Sequence, residues 1–217
     1  MHIMEGYLPL GSAVAWSALS APFLWLGFRR IDRLLKEKPS LKLLLGAVAG
    51  FTFVLSALKL PSVTGSCSHP TGTGLGTILF GPGAMTVIGA IVLFFQALLL
   101  AHGGLTTLGA NLFSMGIAGP WLSFWIYRLG KRLALPLSLV VFLTAVLGDL
   151  FTYFFSSLQL AIAYPDPQGG ISGSLWKFLL VFALTQVPLA LTEGFLTVLV
   201  LNLLSGQPEL EELGFVK

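Results

Sequence analysis

Pro70–Phe80 reads PTGTGLGTILF, and whether this stretch crosses a membrane decides the topology of the whole chain. It holds three glycines and three threonines, and its apolar part, Leu75 to Phe80, is too short to span. Gly81-Pro82-Gly83 then breaks it. On either side lie longer apolar runs, which approach or exceed the roughly 20 residues of a membrane helix. The chain is 55% hydrophobic and 10% charged, against about 25% charged in soluble domains. Its mean hydropathy is +0.89. These values predict an all-α polytopic membrane protein, a single integral-membrane domain over residues 1–217 set in a lipid bilayer.

Outward from Pro70–Phe80, helices are predicted over about Leu10–Phe28, Leu43–Leu58, Ala84–Ala101, Leu105–Tyr127, Leu137–Ala163 and Leu175–Leu204. The basic run RRIDRLLKEKPSLK and the stretch YPDPQGGISG read as loops, and Pro188 should kink the last helix near Gln186. Residues Met1 to Pro9 lack a basic start and carry Glu5, so no cleavable signal peptide is expected.

Orientation follows from Lys and Arg in short loops, which stay inside. Six full helices would put Arg128, Lys131 and Arg132 on the opposite side from Arg29, Arg30, Arg33, Lys36, Lys38 and Lys42. Counting Pro70–Phe80 as a short, broken, Gly-rich pass removes the conflict. Seven segments then leave only Lys59 and Lys177 outside and bring Lys217 inside, which gives an N-out, C-in protein. Irregular backbone at membrane depth survives only where protein or a cavity surrounds it, so the broken pass is a natural place for a site.

That orientation puts all three histidines, His2, His69 and His102, on the outer side. A His at position 2 of a free N-terminus offers the terminal amine of Met1, its own backbone nitrogen and its imidazole to one metal ion. The fused chelate rings are planar, and one equatorial position is left for another imidazole. An all-nitrogen plane suits Ni²⁺ or Cu²⁺ better than Zn²⁺. Because the amide must lose its proton, affinity should rise with pH.

His69, in Ser66-Cys67-Ser68-His69-Pro70-Thr71-Gly72, supplies the right chemistry for the fourth nitrogen. Pro70 disfavours helix at His69, and the glycines permit close backbone approach. Cys67 is a rival soft ligand, but reads better as a packing residue, and Ser66 and Cys67 are candidates to support the ligands from behind. His102 is either a hydrogen-bond partner that fixes another ligand's ring or an interfacial side chain facing headgroups.

Asp149 and Glu193 fall inside the last two helices, where a charge needs a partner or a role. They read as hydrogen-bonded carboxyls holding the bundle together. The alternative is proton coupling in a stand-alone divalent-metal secondary transporter. Ala13, Ser17 and Ala21 form a small-residue stripe that lets a helix of this chain or of a partner approach closely.

Some chemistry is unsupported. There is no G-x-x-x-x-G-K-[ST] run to bind a nucleotide and no H-E-x-x-H for a zincin-type protease. One cysteine forms no intramolecular disulfide. The net charge of +3 resides in short loops and gives no reason to expect nucleic-acid binding. An intramembrane metalloenzyme fits poorly, because a filled plane of protein nitrogens leaves no equatorial water to activate.

The start MHIMEGYLP, the loop SCSHPTGTG and the run AHGGLTTLGANLFSMGIAGP from Ala101 to Pro120 resemble the CbiM/NikM family over the whole chain. These are the substrate-binding membrane components of energy-coupling-factor transporters for cobalt and nickel, and the two motifs look more like the cobalt branch. The resemblance implies seven helices in a prokaryotic plasma membrane. It implies metal held by the Met1 amine, the His2 amide and imidazole, and His69. The cargo would be Co²⁺ or Ni²⁺. It also implies partners: a transmembrane coupling subunit, cytoplasmic ATPase subunits and a small accessory membrane protein. A chain without a P-loop, and so no enzyme itself, agrees with that division of labour.

Overall fold

The computed structural model describes residues 2–61 and 66–213. Helix α1 spans Leu10–Glu37 and carries straight through the basic segment that the sequence reads as a loop. Arg and Lys are good helix formers, and their stems lie along the helix while the charged heads reach water. Arg29 stacks over Trp25 at 3.7 Å, and Lys36 pairs with Asp32 one turn earlier at 2.6 Å. Helix α2, Leu41–Ala57, returns antiparallel.

Helix α3, Thr73–Phe80, is short, and each of its residues is buried. At roughly 1.5 Å per residue it covers only part of a bilayer. Gly72 at φ +69° and Gly81 at φ +82° bound it, in a backbone region where a side chain is strained. A Cβ on Gly72 would sit 3.0 Å from the Cα of Thr52, so a larger residue would also push α2 away.

Helix α4 follows as Pro82–Leu100. The expected single helix Leu105–Tyr127 is in fact three joined pieces. They are α5, Leu108–Asn111, a π-helical stretch, Leu112–Ala118, and α6, Gly119–Arg132. Helix α7 is Leu137–Ala163, as the periodicity predicts. Helix α8, Gly170–Leu204, begins five residues before the expected Leu175 and stays helical through Pro188. Before it, Asp166 accepts backbone N–H groups of Gln168 (3.0 Å) and Gly169 (2.8 Å) and pairs with Lys177. Helix α9, Pro208–Glu212, ends the described chain.

The chain is not wholly helical. Strands β1 (His2–Ile3), β2 (Leu60–Pro61) and β3 (Ser66–Ser68) form an antiparallel sheet in the order β1-β3-β2. His2 lies opposite Cys67, and Leu60 opposite Ser68. No period-two pattern announces strands this short, and Ser and Gly there read as loop.

Two apolar clusters mark the two ends of the bundle. Ile3, Leu8, Ala110, Leu160 and Phe182 pack at the end that carries the sheet. Leu41, Phe80, Val141, Leu201 and Leu210 pack at the other. There Arg30 Nε donates to the Phe80 carbonyl at 3.3 Å. The stretch after His69 therefore runs from the sheet end to the end that holds the basic residues of α1.

Much of the interior is small and polar: Ser123 Oγ donates to the Thr144 carbonyl at 3.0 Å between α6 and α7. Large apolar residues point outward instead, Leu184 at 83% exposure and Leu43 at 79%. This is the inside-out pattern of helices packed in lipid, where small residues let backbones approach and hydroxyls bond across interfaces. Helices α1, α4, α7 and α8 are long and apolar enough to cross a bilayer, and α2 is apolar and 17 residues long. The protein is a helical, polytopic membrane protein.

Candidate metal centre

The β1–β3 pair brings two distant parts of the chain together. His2 enters the core opposite Cys67, and the backbone leaving β3 presents His69 two residues later. Both histidines are fully buried.

Their orientation is set on each side. The Asn111 side-chain oxygen accepts the Ile3 N–H at 2.8 Å, and its Nδ2 donates to the Ile3 carbonyl at 3.0 Å. Thr107 Oγ donates to the same carbonyl at 2.8 Å. The residue beside His2 is thus held like a strand paired with a side chain. Gly103, at φ +76°, leaves the room the ring needs, since a Cβ there would lie 3.1 Å from His2 Cδ2. On the other ring, His69 Nδ1 donates to the Pro70 carbonyl at 2.8 Å. That bond fixes the tautomer and leaves the Nε2 lone pair free, the usual arrangement of a metal-binding imidazole. His2 Nδ1 and His69 Nε2 face each other directly.

His102 completes the cluster. Its ring centroid is 4.3 Å from that of His2 and 5.0 Å from that of His69. Its Nε2 is 2.9 Å from Cys67 Sγ. One donor atom from each of His2, Cys67, His69 and His102 lies within 4.8 Å of the other three, a spacing that one ion can bridge. Burial pushes His2 and His69 well below the ordinary imidazole range and His102 down to about 3. The rings are therefore neutral, the form that binds metal. Burial pushes the Cys67 thiol up, so it favours the protonated form until a cation draws the proton off. A cavity of about 290 Å³, lined by Met4, Lys59, Ser66, Cys67, Ala101, His102 and Gly103, adjoins this cluster on the sheet side.

Of the residues singled out in the sequence, His2, Cys67, His69 and His102 thus meet in one buried place. Met1 lies outside the described residues, as do Lys217 and residues 62–65 of the loop. Ser66 is buried in β3, with Ile3 as its strand partner.

Asp149 and Glu193 offer no ligand to the cluster. They lie behind the His69 loop, where Gln186 Nε2 donates to Asp149 at 2.8 Å and Thr71 N–H donates to Glu193 at 2.5 Å. Ala13 is buried against Ala110 and its neighbours, a Cβ on Gly109 would run into Ser17, and Ala21 is exposed. Sequence reasoning missed Asn111, Thr107, Thr71 and Gln186, each a polar residue within or beside an apolar run. Polarity within or beside an apolar run is the signal these residues carry in the sequence.

A helical membrane protein with neutral imidazoles converging in a buried pocket near one end has the anatomy of a transition-metal binding component. The comparisons narrow this. The family model described as "Cobalt uptake substrate-specific transmembrane region", CbiM, matches residues 2–210. The chain is 62% identical over 206 residues to the "Cobalt transport protein CbiM" of Nostoc sp., covering 95% of this chain and 79% of that protein. It is 60% identical over 216 residues to the protein of the same name from Streptomyces coelicolor, covering 99% and 93%. A crystal structure described as a truncated transition metal transporter superposes with a TM-score of 0.80 at 25% identity, over 94% of this chain and 98% of that one. The chain belongs to the CbiM family.

Proposed function

We propose that this protein takes up Co²⁺ as the substrate-binding component of an energy-coupled transporter, with Ni²⁺ able to occupy the same site. The observation that carries this is the facing pair His2 Nδ1 and His69 Nε2, buried together from 67 positions apart in the chain. The Met1 amine, the His2 backbone nitrogen and His2 Nδ1 supply three donors, and His69 Nε2 supplies the fourth. Cys67 and His102 flank the ion, beside the cavity through which it would arrive from outside.

In this reading seven passes cross a prokaryotic plasma membrane, N-out and C-in, with Pro70–Phe80 as the short one. Its support is the course of that stretch from the sheet end to Arg30. Driving force comes from partners, namely a transmembrane coupling subunit, ATPase subunits and a small accessory membrane protein. CbiM relatives are named cobalt transport proteins, and no P-loop is present here. The proton-coupled alternative would need Asp149 or Glu193: Glu193 is engaged by Thr71 through both oxygens, whereas Gln186 engages only Oδ1 of Asp149 and Oδ2 is buried without a partner among the described residues.

Calorimetric titration of the detergent-solubilised protein with Co²⁺ and with Ni²⁺ tests the site. Both metals should compete for one site, His2→Ala should abolish binding, and His69→Ala should leave a weakened three-nitrogen site. Zn²⁺ should compete poorly, because it favours a tetrahedron. Full-affinity binding by His69→Ala would remove the fourth ligand. In liposomes without partners the protein should not accumulate metal. Uptake driven by a proton gradient alone would establish the secondary transporter instead.

A further inference from the structure

The loop that carries His69 is held by side chains of one helix. Ser68 Oγ is 2.8 Å from Thr185 Oγ1. Gln186 Nε2 donates to the His69 carbonyl at 3.0 Å and to Asp149 of α7 at 2.8 Å. Glu193 accepts the Thr71 N–H at 2.5 Å and the Thr71 hydroxyl at 2.9 Å. Gln186 and Glu193 are seven residues apart, two helical turns, and so lie on one face. With Phe182, Ala190, Thr197 and Leu201 they form the buried stripe of α8. Gln186 and Glu193 are themselves fully buried, where an unmade hydrogen bond is costly.

These contacts, at three points of the loop, bracket His69. They hold the residue before it, its own carbonyl and the residue after Pro70. The His69 ring is in turn tied to its own loop through Nδ1 and the Pro70 carbonyl. Where the loop sits therefore fixes where Nε2 points. We infer that Gln186 and Glu193 are positioning residues for the metal ligand His69, so that α8 sets the geometry of the site without touching the ion. This rests on the proposed role of His69 and adds to it the element that controls that ligand.

A double-mutant cycle read by metal titration tests the inference. Gln186→Ala should weaken Ni²⁺ binding about 10- to 100-fold, the usual effect of losing a group that orients a ligand. In a His69→Ala background it should change affinity by less than about 2-fold, because the ligand it places is gone. The Ni²⁺ ligand-field spectrum of Gln186→Ala should shift toward that of His69→Ala. Glu193→Gln, which keeps an oxygen to accept the Thr71 N–H, should bind nearly as the native protein does, whereas Glu193→Ala should not. Should Gln186→Ala fail to fold, Thr71→Val, which removes the hydroxyl that reaches Glu193, enters the same cycle.

Equal weakening by Gln186→Ala in both backgrounds would show a general structural role and overturn the inference. So would native affinity for both Gln186→Ala and Glu193→Ala. If His69→Ala alone binds as tightly as the native protein, the ligand assignment falls as well. An additive cycle with a weakened His69→Ala removes only the positioning role.

Discussion

At the residue scale the proposed chelate turns on the Met1 amine. If the Met1 amine closes the chelate with the His2 amide, one extra residue before Met1 destroys a five-membered ring at its first atom while changing no side chain. A protein extended by a single N-terminal residue should fold and insert yet lose nearly all Co²⁺ and Ni²⁺ binding, whereas a C-terminal tag should be harmless. Titration of the two tagged forms side by side checks this, and equal affinity would exclude the amine. His102 makes a second prediction. Burial lowers its value from 6.5 to about 3. Between those limits the unfolded chain takes up a proton that the folded protein does not. Stability therefore falls as pH falls below about 6.5, by up to ~1.4 kcal/mol per pH unit for this one group. Thermal unfolding of the metal-free protein at pH 7 and pH 4.5 should show the loss, and His102→Asn should reduce it while His2 and His69, lowered in the same direction, keep their share.

At the scale of elements, the two ends of the small-residue stripe on α1 lie in different surroundings. Ala13 is buried against the sheet-end core, while Ala21 faces outward. Ala13→Leu should overpack that core and lower stability by about 1–3 kcal/mol. Ala21→Leu should leave stability and metal binding unchanged and impair uptake only in cells that hold the partner subunits. A thermal melt, a titration and a cellular uptake assay on each variant distinguish packing from docking. Loss of binding in Ala21→Leu would make this position internal as well. Helix α3 makes the complementary point about sequence reading. Its composition announces a break, yet Gly72 and Gly81 only bound a buried helix, pressed against α2 at Gly72 and against α7 at Gly74.

At the scale of the molecule, the outward-facing leucines and the polar interior define a membrane protein, and the two ends of the bundle differ in chemistry. Histidines gather at one, and Arg30 closes over Phe80 at the other. If the histidine end faces outward, a cysteine at position 212 lies inside. Glu212→Cys, made with Cys67→Ser, should resist a membrane-impermeant thiol reagent added to intact cells and react after the cells are opened. Labelling of intact cells would sink the seven-pass, C-in arrangement.

Composition and charge alone determined the class of protein, because a bilayer admits few solutions and apolar length reports them directly. The short motifs at His2 and His69 were legible for a similar reason, since a donor set at a chain terminus is a local property of bonded atoms. Other features needed the tertiary structure. The sheet that pairs His2 with Cys67 rests on long-range backbone bonds between strands of two and three residues, too short for any periodicity. That His102 joins the other two histidines depends on the turn after α4, which lays its ring against His2 and Cys67. Which backbone groups Asn111 and Gln186 meet was not legible in sequence, because a neutral polar residue in an apolar run marks itself as notable but gives no sign of its distant partner. Hydrogen bonds across 108 and 117 positions are decided by how the helices pack.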